Sequence, residues 1–269
     1  MRITRNLAAL ILLGLSACQS VQTTAPGAIG VNRKQLMLVS EADVESGAVT
    51  AYAAEVGKAR ESGALNANPR AVQRVREIAQ RLIKQTPVFR PDALQWNWDI
   101  NVQSTTELNA YCMPGGKIMV YTGLIDKLQL TDAELAAVVG HEMAHALREH
   151  SREAVSRSYA EKIGLEGLAL VTGMGDLSTA LADQVAQVTF ILPRSRIQES
   201  EADRIGIELM ARAGYDPHSA LSLWEKMGKM AQGGSPAFLN THPSSASRLS
   251  DLQALLPRVL PLYQAAPKS

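Results

Sequence analysis

Two histidines four residues apart, with a glutamate directly after the first, occur as His141-Glu142-Met143-Ala144-His145. On a helix, positions i and i+4 lie on one face. Both imidazoles can then bind one tetrahedral cation, and Zn²⁺ is the ion that such ligands favour. Glu142, beside the first ligand, is placed to reach a water on that metal and act as general base. The same residues could instead form the polar face of an amphipathic helix. That reading leaves unexplained why a polar set interrupts Ala136-Ala137-Val138-Val139-Gly140 before it and Ala146-Leu147 after it. Burying such groups without a partner costs several kcal/mol, and a metal removes that cost.

A catalytic zinc needs a third protein ligand and one open position. His150 lies about 140° around a continuous helix from His145, so it is expected at the surface. The better candidate is Glu199, within Gln198-Glu199-Ser200-Glu201-Ala202-Asp203. A helix presenting Glu199 and Asp203 at i, i+4 would put one carboxylate on the metal and the other behind it. Asp203 would then accept the outer N–H of His141 or His145 and fix its tautomer. Glu201 points about 200° away from Glu199 and is expected in solvent. The spacing also suits an ordinary charged helix face.

These residues need elements to hold them. Thr131-x-x-Glu134 is a capping box for a helix from about Asp132 to Arg152. A helix over Ser195–Ala213 would carry Glu199, ending at Gly214, and Asp216-Pro217 starts another that runs to about Met230. Upstream, an Ala-rich helix is expected from Ser40 to about Gly63, and a second from Pro69 to Gln85 after an Asn68 cap. Trp96, Trp98, Ile100 and Val102 alternate with polar residues, as in a half-buried strand. Asn109–Met113 and Lys117–Thr122 flank Pro114-Gly115-Gly116, which is a hairpin signal. Residues 153–195 read as a helical hairpin, buried or grazing a membrane, broken at Gly173-Met174-Gly175. Its apolar stretch Ile163–Met174 is too short to span a bilayer. Ser244–Leu256 is expected to be a last short helix. The fold class is therefore mainly α with a small β-sheet (α+β), a single catalytic domain over residues 40–262.

The amino terminus is a separate matter. Arg2 and Arg5 precede the apolar run Leu7–Leu15, which reads as a signal peptide over residues 1–17. Leu15-Ser16-Ala17-Cys18 resembles the lipobox of bacterial lipoproteins, which implies acylation of Cys18 and a membrane attachment through that lipid. Gln19 after the cysteine favours the outer membrane in such signals. Residues 18–39, rich in Gln, Thr, Ala and Gly, are expected to be a flexible lipidated tether. With Cys18 acylated, Cys112 has no partner for an internal disulfide and is read as a small buried apolar residue.

Composition excludes some classes. Hydrophobic residues make up 46% and charged residues 20% of 269, as in an ordinary globular protein. Net charge is +1, and removing residues 1–17 leaves 25 basic against 26 acidic residues. Without a basic block, no nucleic acid partner is expected.

Several motifs occur in a telling order: His-Glu-Met-Ala-His; Glu199-x-x-x-Asp203 before Arg-Ile-Gly; Ala110-x-x-x-Pro114-Gly-Gly ahead of Val120-Tyr-Thr-Gly-Leu; and Asn240-Thr-His-Pro243 with Arg248. Over about residues 65–256 the chain resembles the zinc endopeptidase family of the CAAX prenyl proteases and HtpX heat-shock proteases, in its outer-membrane lipoprotein branch (the BepA and LoiP kind). It stops short of the helical-repeat extension of the BepA kind. The resemblance implies a zincin-like domain with one Zn²⁺ per chain on His141, His145 and Glu199, and Glu142 as base. It also implies that His242 lies near the site, as oxyanion stabiliser or as a zinc ligand when no substrate is bound. Arg248 could orient Asp203 or a substrate carbonyl. Unfolded or misassembled envelope proteins are the implied substrates, bound as a strand added beside Ala110–Met113 on the periplasmic face of the outer membrane. The alternatives are a zinc-containing chaperone or assembly factor for outer-membrane proteins, with minor or regulated proteolysis, and an aminopeptidase, for which no amine-holding group is visible.

Overall fold

In the computed structural model, the residues described are 19–166, 177–231, 237–243 and 247–267. Ser40 caps helix α1 (Glu41–Glu61) by accepting from the Asp43 N–H, and Asn68 caps α2 (Pro69–Ile83) in the same way. Three short strands follow: β3 (Asp99–Gln103), β4 (Ala110–Met113) and β5 (Lys117–Tyr121). β5 is central, parallel to β3 and antiparallel to β4, with Tyr111 opposite Met119 and Cys112 opposite Ile118. The alternating run does not become strand until Asp99; Trp96 and Trp98 instead pack on each other, and the Trp98 indole donates to the Ala93 carbonyl at 2.8 Å.

Both faces of this sheet are covered. Ala110, Cys112, Ile118 and Val120 join the main core with α2, α4 (Asp132–Leu147) and α7 (Arg196–Arg212). Tyr111, Met113, Met119 and Tyr121 point the other way, toward α1, α5 (His150–Glu166) and α6 (Leu177–Phe190). Alternation of side chains along the strands thus divides the interior into two clusters. Helices α3 (Thr122–Lys127), α8 (His218–Ala231), α9 (Ala237–Thr241) and α10 (Arg248–Ala265) complete the described elements. The last helix runs well past Leu256 and through Pro257 and Pro261, because Leu255, Leu256 and Val259 keep packing inward. Mainly helical with one small three-stranded sheet and a two-stranded ribbon, the chain has an α+β fold of zincin-like type.

Two features of α4 and α7 place the site. Both begin with complete capping boxes, Thr131 with Glu134 and Ser195 with Gln198, which fix where each helix starts. They also cross with backbones touching. A Cβ on Gly206 would lie 2.9 Å from the His141 amide nitrogen, and one on Gly140 would lie 3.1 Å from the Gly206 carbonyl oxygen. No side chain fits between the helices there.

The structure corrects three expectations. First, α4 ends at Leu147 rather than Arg152; Glu149 takes a left-handed conformation (φ 53°), and α5 restarts at His150. Arg90 at 2.7 Å and Arg152 at 2.6 Å grip the Glu149 carboxylate and hold this break. Second, from Gln19 onward the expected tether is packed. β1 (Gln19–Val21) pairs antiparallel with β2 (Gln35–Met37), and Ile29 and Val31 enter the main core. Polar groups anchor the segment from inside: Glu208 accepts from the Ala28 and Ile29 amides at 3.1 Å each, and the Gln35 amide donates to the Arg148 carbonyl at 2.7 Å. Third, Glu201 and His150 are buried, as described below. Residues 1–18 with Cys18, the Gly173-Met174-Gly175 break, the loop at 232–236 and the start of the last helix at Ser244 lie outside the described residues. Among the described residues, no helix is long and apolar enough to cross a membrane.

Candidate metal centre

α4 directs His141 and His145 to one side, with Nε2 atoms 3.1 Å apart. α7 brings Glu199 to them: Oε1 lies 3.4 Å from His145 Nε2 and Oε2 3.5 Å from His141 Nε2. The fourth member is His242, just after α9, whose Nδ1 lies 3.3 Å from His141 Nε2 and 3.1 Å from Glu199 Oε1. All four residues are buried, and they form a group able to hold one metal ion. A tetrahedral cation about 2.0–2.1 Å from each donor sets the donors about 3.3–3.4 Å apart. The observed separations cluster around that value, and the donor set is three imidazole nitrogens with one carboxylate oxygen. These residues fit zinc.

Charges in the protein alone show strong coupling. Burial pushes His141 down, but Asp203 and Glu199 outweigh it and raise the ring to about 9. Burial would raise Glu199, yet His242, His141 and His145 hold it well below the usual carboxylate range. Burial drives His145 well below the ordinary imidazole range, with the positive charge of Arg194 adding to the effect.

Around the donors sit the groups that orient them. Asp203 Oδ1 lies 3.0 Å from His141 Nδ1, beside the ring though not aligned as a full hydrogen bond. Arg248 grips Asp203 with two bonds of 2.7 and 2.8 Å and donates to Glu199 Oε2 at 3.0 Å. Its guanidinium lies over Trp224, 3.3 Å from the ring centroid. Glu142 is 1% exposed, and neither carboxylate oxygen has a hydrogen-bond partner. The nearest ring nitrogen is His242 Nε2, 3.4 Å from Glu142 Oε1. The His242 ring stacks on Phe238 at 4.4 Å, and Phe238 N–H donates to the Leu108 carbonyl just ahead of β4.

Four residues here escaped the sequence reading. His150 is fully buried, with Nδ1 2.8 Å from His145 Nδ1 and Nε2 3.0 Å from Glu201 Oε2. The helical break at Glu149 invalidates the angle that put it at the surface; burial pushes it down to about 4. Glu201 does point away from Glu199, but that side is covered by the amino-terminal segment rather than water, and Arg33 pairs with it at 2.8 Å. Arg194 is a buried guanidinium whose ionisation burial disfavours and whose charge Glu142 and Glu199 favour. Three of the five histidines lie within residues 141–150, which was the one sequence signal that could have implicated His150. Cys112 is buried, and burial pushes its thiol well up, so it is no nucleophile.

A helix carrying two histidines, a second helix delivering a carboxylate to them, and an unpartnered glutamate beside the ligand set define a zincin-type metallopeptidase. The family model for peptidase family M48 matches residues 69–256, and the chain belongs to that family. Mitochondrial metalloendopeptidase OMA1 of Arabidopsis thaliana is 38% identical over 152 residues, covering 56% of this chain and 30% of that protein. Metalloprotease YcaL of Escherichia coli (strain K12) is 25% identical over 249 residues, 91% of this chain and 92% of that protein. Metalloprotease LoiP of the same organism is 29% identical over 153 residues, 56% of this chain and 60% of that protein. The chain thus spans under two thirds of the OMA1 and LoiP lengths and nearly all of YcaL.

Proposed function

We propose that the protein is a zinc-dependent endopeptidase that cleaves unfolded or misassembled envelope proteins, held by a lipid on Cys18 at the periplasmic face of the outer membrane. The observation that carries the hydrolytic part is the buried Glu142 carboxylate, unpartnered beside four converging donors. A structural metal site has no use for such a group. Zinc, when bound, supplies Lewis-acid polarisation of water and of the scissile carbonyl. His141, His145 and Glu199 would hold it. Glu142 takes the proton of the attacking water and delivers it to the leaving amine. Asp203 and Arg248 keep His141 and Glu199 in place throughout. β4 is the edge strand of its sheet, which supports binding of an extended substrate segment by added-strand pairing tolerant of sequence.

Substituting Glu142→Gln should leave zinc bound at one per chain and abolish casein hydrolysis, by about a thousandfold or more. Hydrolysis persisting in that variant, and abolished by chelator, would remove Glu142 from the role of base.

One observation favours a second reading. With His242 included, all four positions carry protein donors, which is the closed coordination of a structural zinc. A chaperone or assembly factor with regulated proteolysis would show that arrangement at rest. Refolding assistance undiminished in Glu142→Gln, with little cleavage by the wild type, would favour it.

A further inference from the structure

The outer side of His145 leads, through two more side chains, to the amino-terminal segment. His145 Nδ1 meets His150 Nδ1 at 2.8 Å, and His150 Nε2 meets Glu201 Oε2 at 3.0 Å. Arg33 donates to both Glu201 oxygens, at 2.9 Å from Nε and 2.8 Å from a terminal nitrogen. Its other side pairs with Glu153 at 2.6 and 2.9 Å. Arg148, fully buried, adds a 3.2 Å contact to Glu201 and donates to the Arg33 carbonyl.

Hydrogen-bond chemistry gives this chain a direction. A carboxylate only accepts, so His150 carries a proton on Nε2. Were Nδ1 protonated too, it would meet His145 Nδ1 as a donor and force the His145 proton onto Nε2. The alternative leaves a lone pair on His150 Nδ1, which the Nδ1–H of His145 satisfies. The lone pair of His145 then sits on Nε2, the atom that faces His141 and Glu199. His141 has its own separate support from Asp203 and Arg248.

We infer that Arg33, Glu201 and His150 act in series as positioning residues that set the tautomer and orientation of His145. The segment 19–39 is thereby a working part of the metal site rather than a spacer. This rests on the peptidase reading of the same centre, and its test is metal affinity.

The experiment uses the full mature chain and measures zinc affinity by competition with a chromophoric chelator. Metal-free thermal unfolding serves as the control for folding. His150→Phe fills the space without either hydrogen bond and should weaken zinc binding about ten- to a hundredfold. His150→Gln can accept from His145 and donate to Glu201, and should return affinity to within about threefold of the wild type. Arg33→Ala, at a side chain only 25% exposed, should weaken binding by several-fold without unfolding the protein. Wild-type affinity in His150→Phe overturns the inference, as does a glutamine variant no better than phenylalanine. Should His150→Phe fail to fold, Arg33→Ala decides, and unchanged affinity there overturns it. A wild-type protein that binds no zinc would instead sink the peptidase reading.

Discussion

His242 differs from the other three donors in how it is held. His141, His145 and Glu199 project from α4 and α7, which carry long buried faces and capping boxes. His242 follows the five-residue helix α9 and relies on stacking against Phe238 and on its own amide bonding to the Phe238 carbonyl at 2.9 Å. A donor so supported can be displaced at smaller cost, and a substrate carbonyl has no other position to take. His242→Ala should therefore keep zinc on three ligands, weaken its affinity by about tenfold, and raise basal casein cleavage. Chelator competition and a cleavage assay on one preparation check both outcomes. Zinc retained with cleavage lost would assign His242 to the oxyanion instead. At this scale the reading from sequence reached the residues whose spacing is regular: His141 with His145, and Glu199 with Asp203, each pair one helical turn apart. His150, Glu201 and Arg33 were invisible because their roles depend on a break in a helix and on the path of a distant segment.

Helix starts were legible because capping boxes are local chemistry; Thr131 with Glu134 marks the start of α4 to the residue. The end of α4 was not legible. Arg148-Glu149 contains neither glycine nor proline, and the left-handed Glu149 is held by Arg90, nearly sixty positions away in sequence. The crossing of α4 and α7 depends on a different local feature, the pair Gly140 and Gly206. Gly206→Ala would push a methyl against the His141 amide at 2.9 Å, with backbone rather than a yielding side chain on the other side. The helices must separate, which should cost about 1–3 kcal/mol of stability. Because Glu199 and Asp203 ride on α7, zinc affinity should fall along with the melting temperature. A variant that melts lower yet binds zinc as tightly as the wild type would show that the crossing does not set the ligand geometry.

Acid should loosen the metal-free molecule in two windows. His150 is pushed down to about 4 from an ordinary value near 6.5, so below pH 6.5 the unfolded chain binds a proton that the folded one refuses. Stability from that site is lost as pH falls from about 6.5 to about 4, on the order of 3 kcal/mol. Burial would raise Glu153, but Arg33 and Gln35 outweigh it and depress its carboxyl to about 2. Its contribution is full above about pH 4.5 and disappears as pH falls toward 2. The melting temperature of chelator-treated protein should therefore decline steadily below neutrality. His150→Gln should make the upper part of the decline shallower, the remainder there belonging to His145, which burial also holds below the ordinary imidazole range.

The amino-terminal segment changes how the whole molecule would sit on a membrane. Low complexity between residues 19 and 39 reads as a tether only while its partners are unknown. With Glu208 and Glu201 on α7, Glu153 on α5 and Arg148 at the break between α4 and α5 waiting for it, the same residues order. β1 begins at Gln19, directly after the expected acylation site, so a lipid on Cys18 would hold the catalytic domain against the bilayer with no slack. The two descriptions separate by proteolysis. A loose tether would offer Arg33 and Lys34 to trypsin at once, whereas cleavage of a packed segment requires local unfolding of several residues into the protease. Lys34 is exposed, but its neighbour Gln35 is buried and the Arg33 carbonyl is bonded to Arg148. Native protein at neutral pH should therefore survive trypsin at these two positions for as long as it survives at Arg204 within α7, and Arg33→Ala should make Lys34 the first site cut. Rapid cleavage after Arg33 or Lys34 in the wild type, with the remaining domain intact and still binding zinc, would restore the tether.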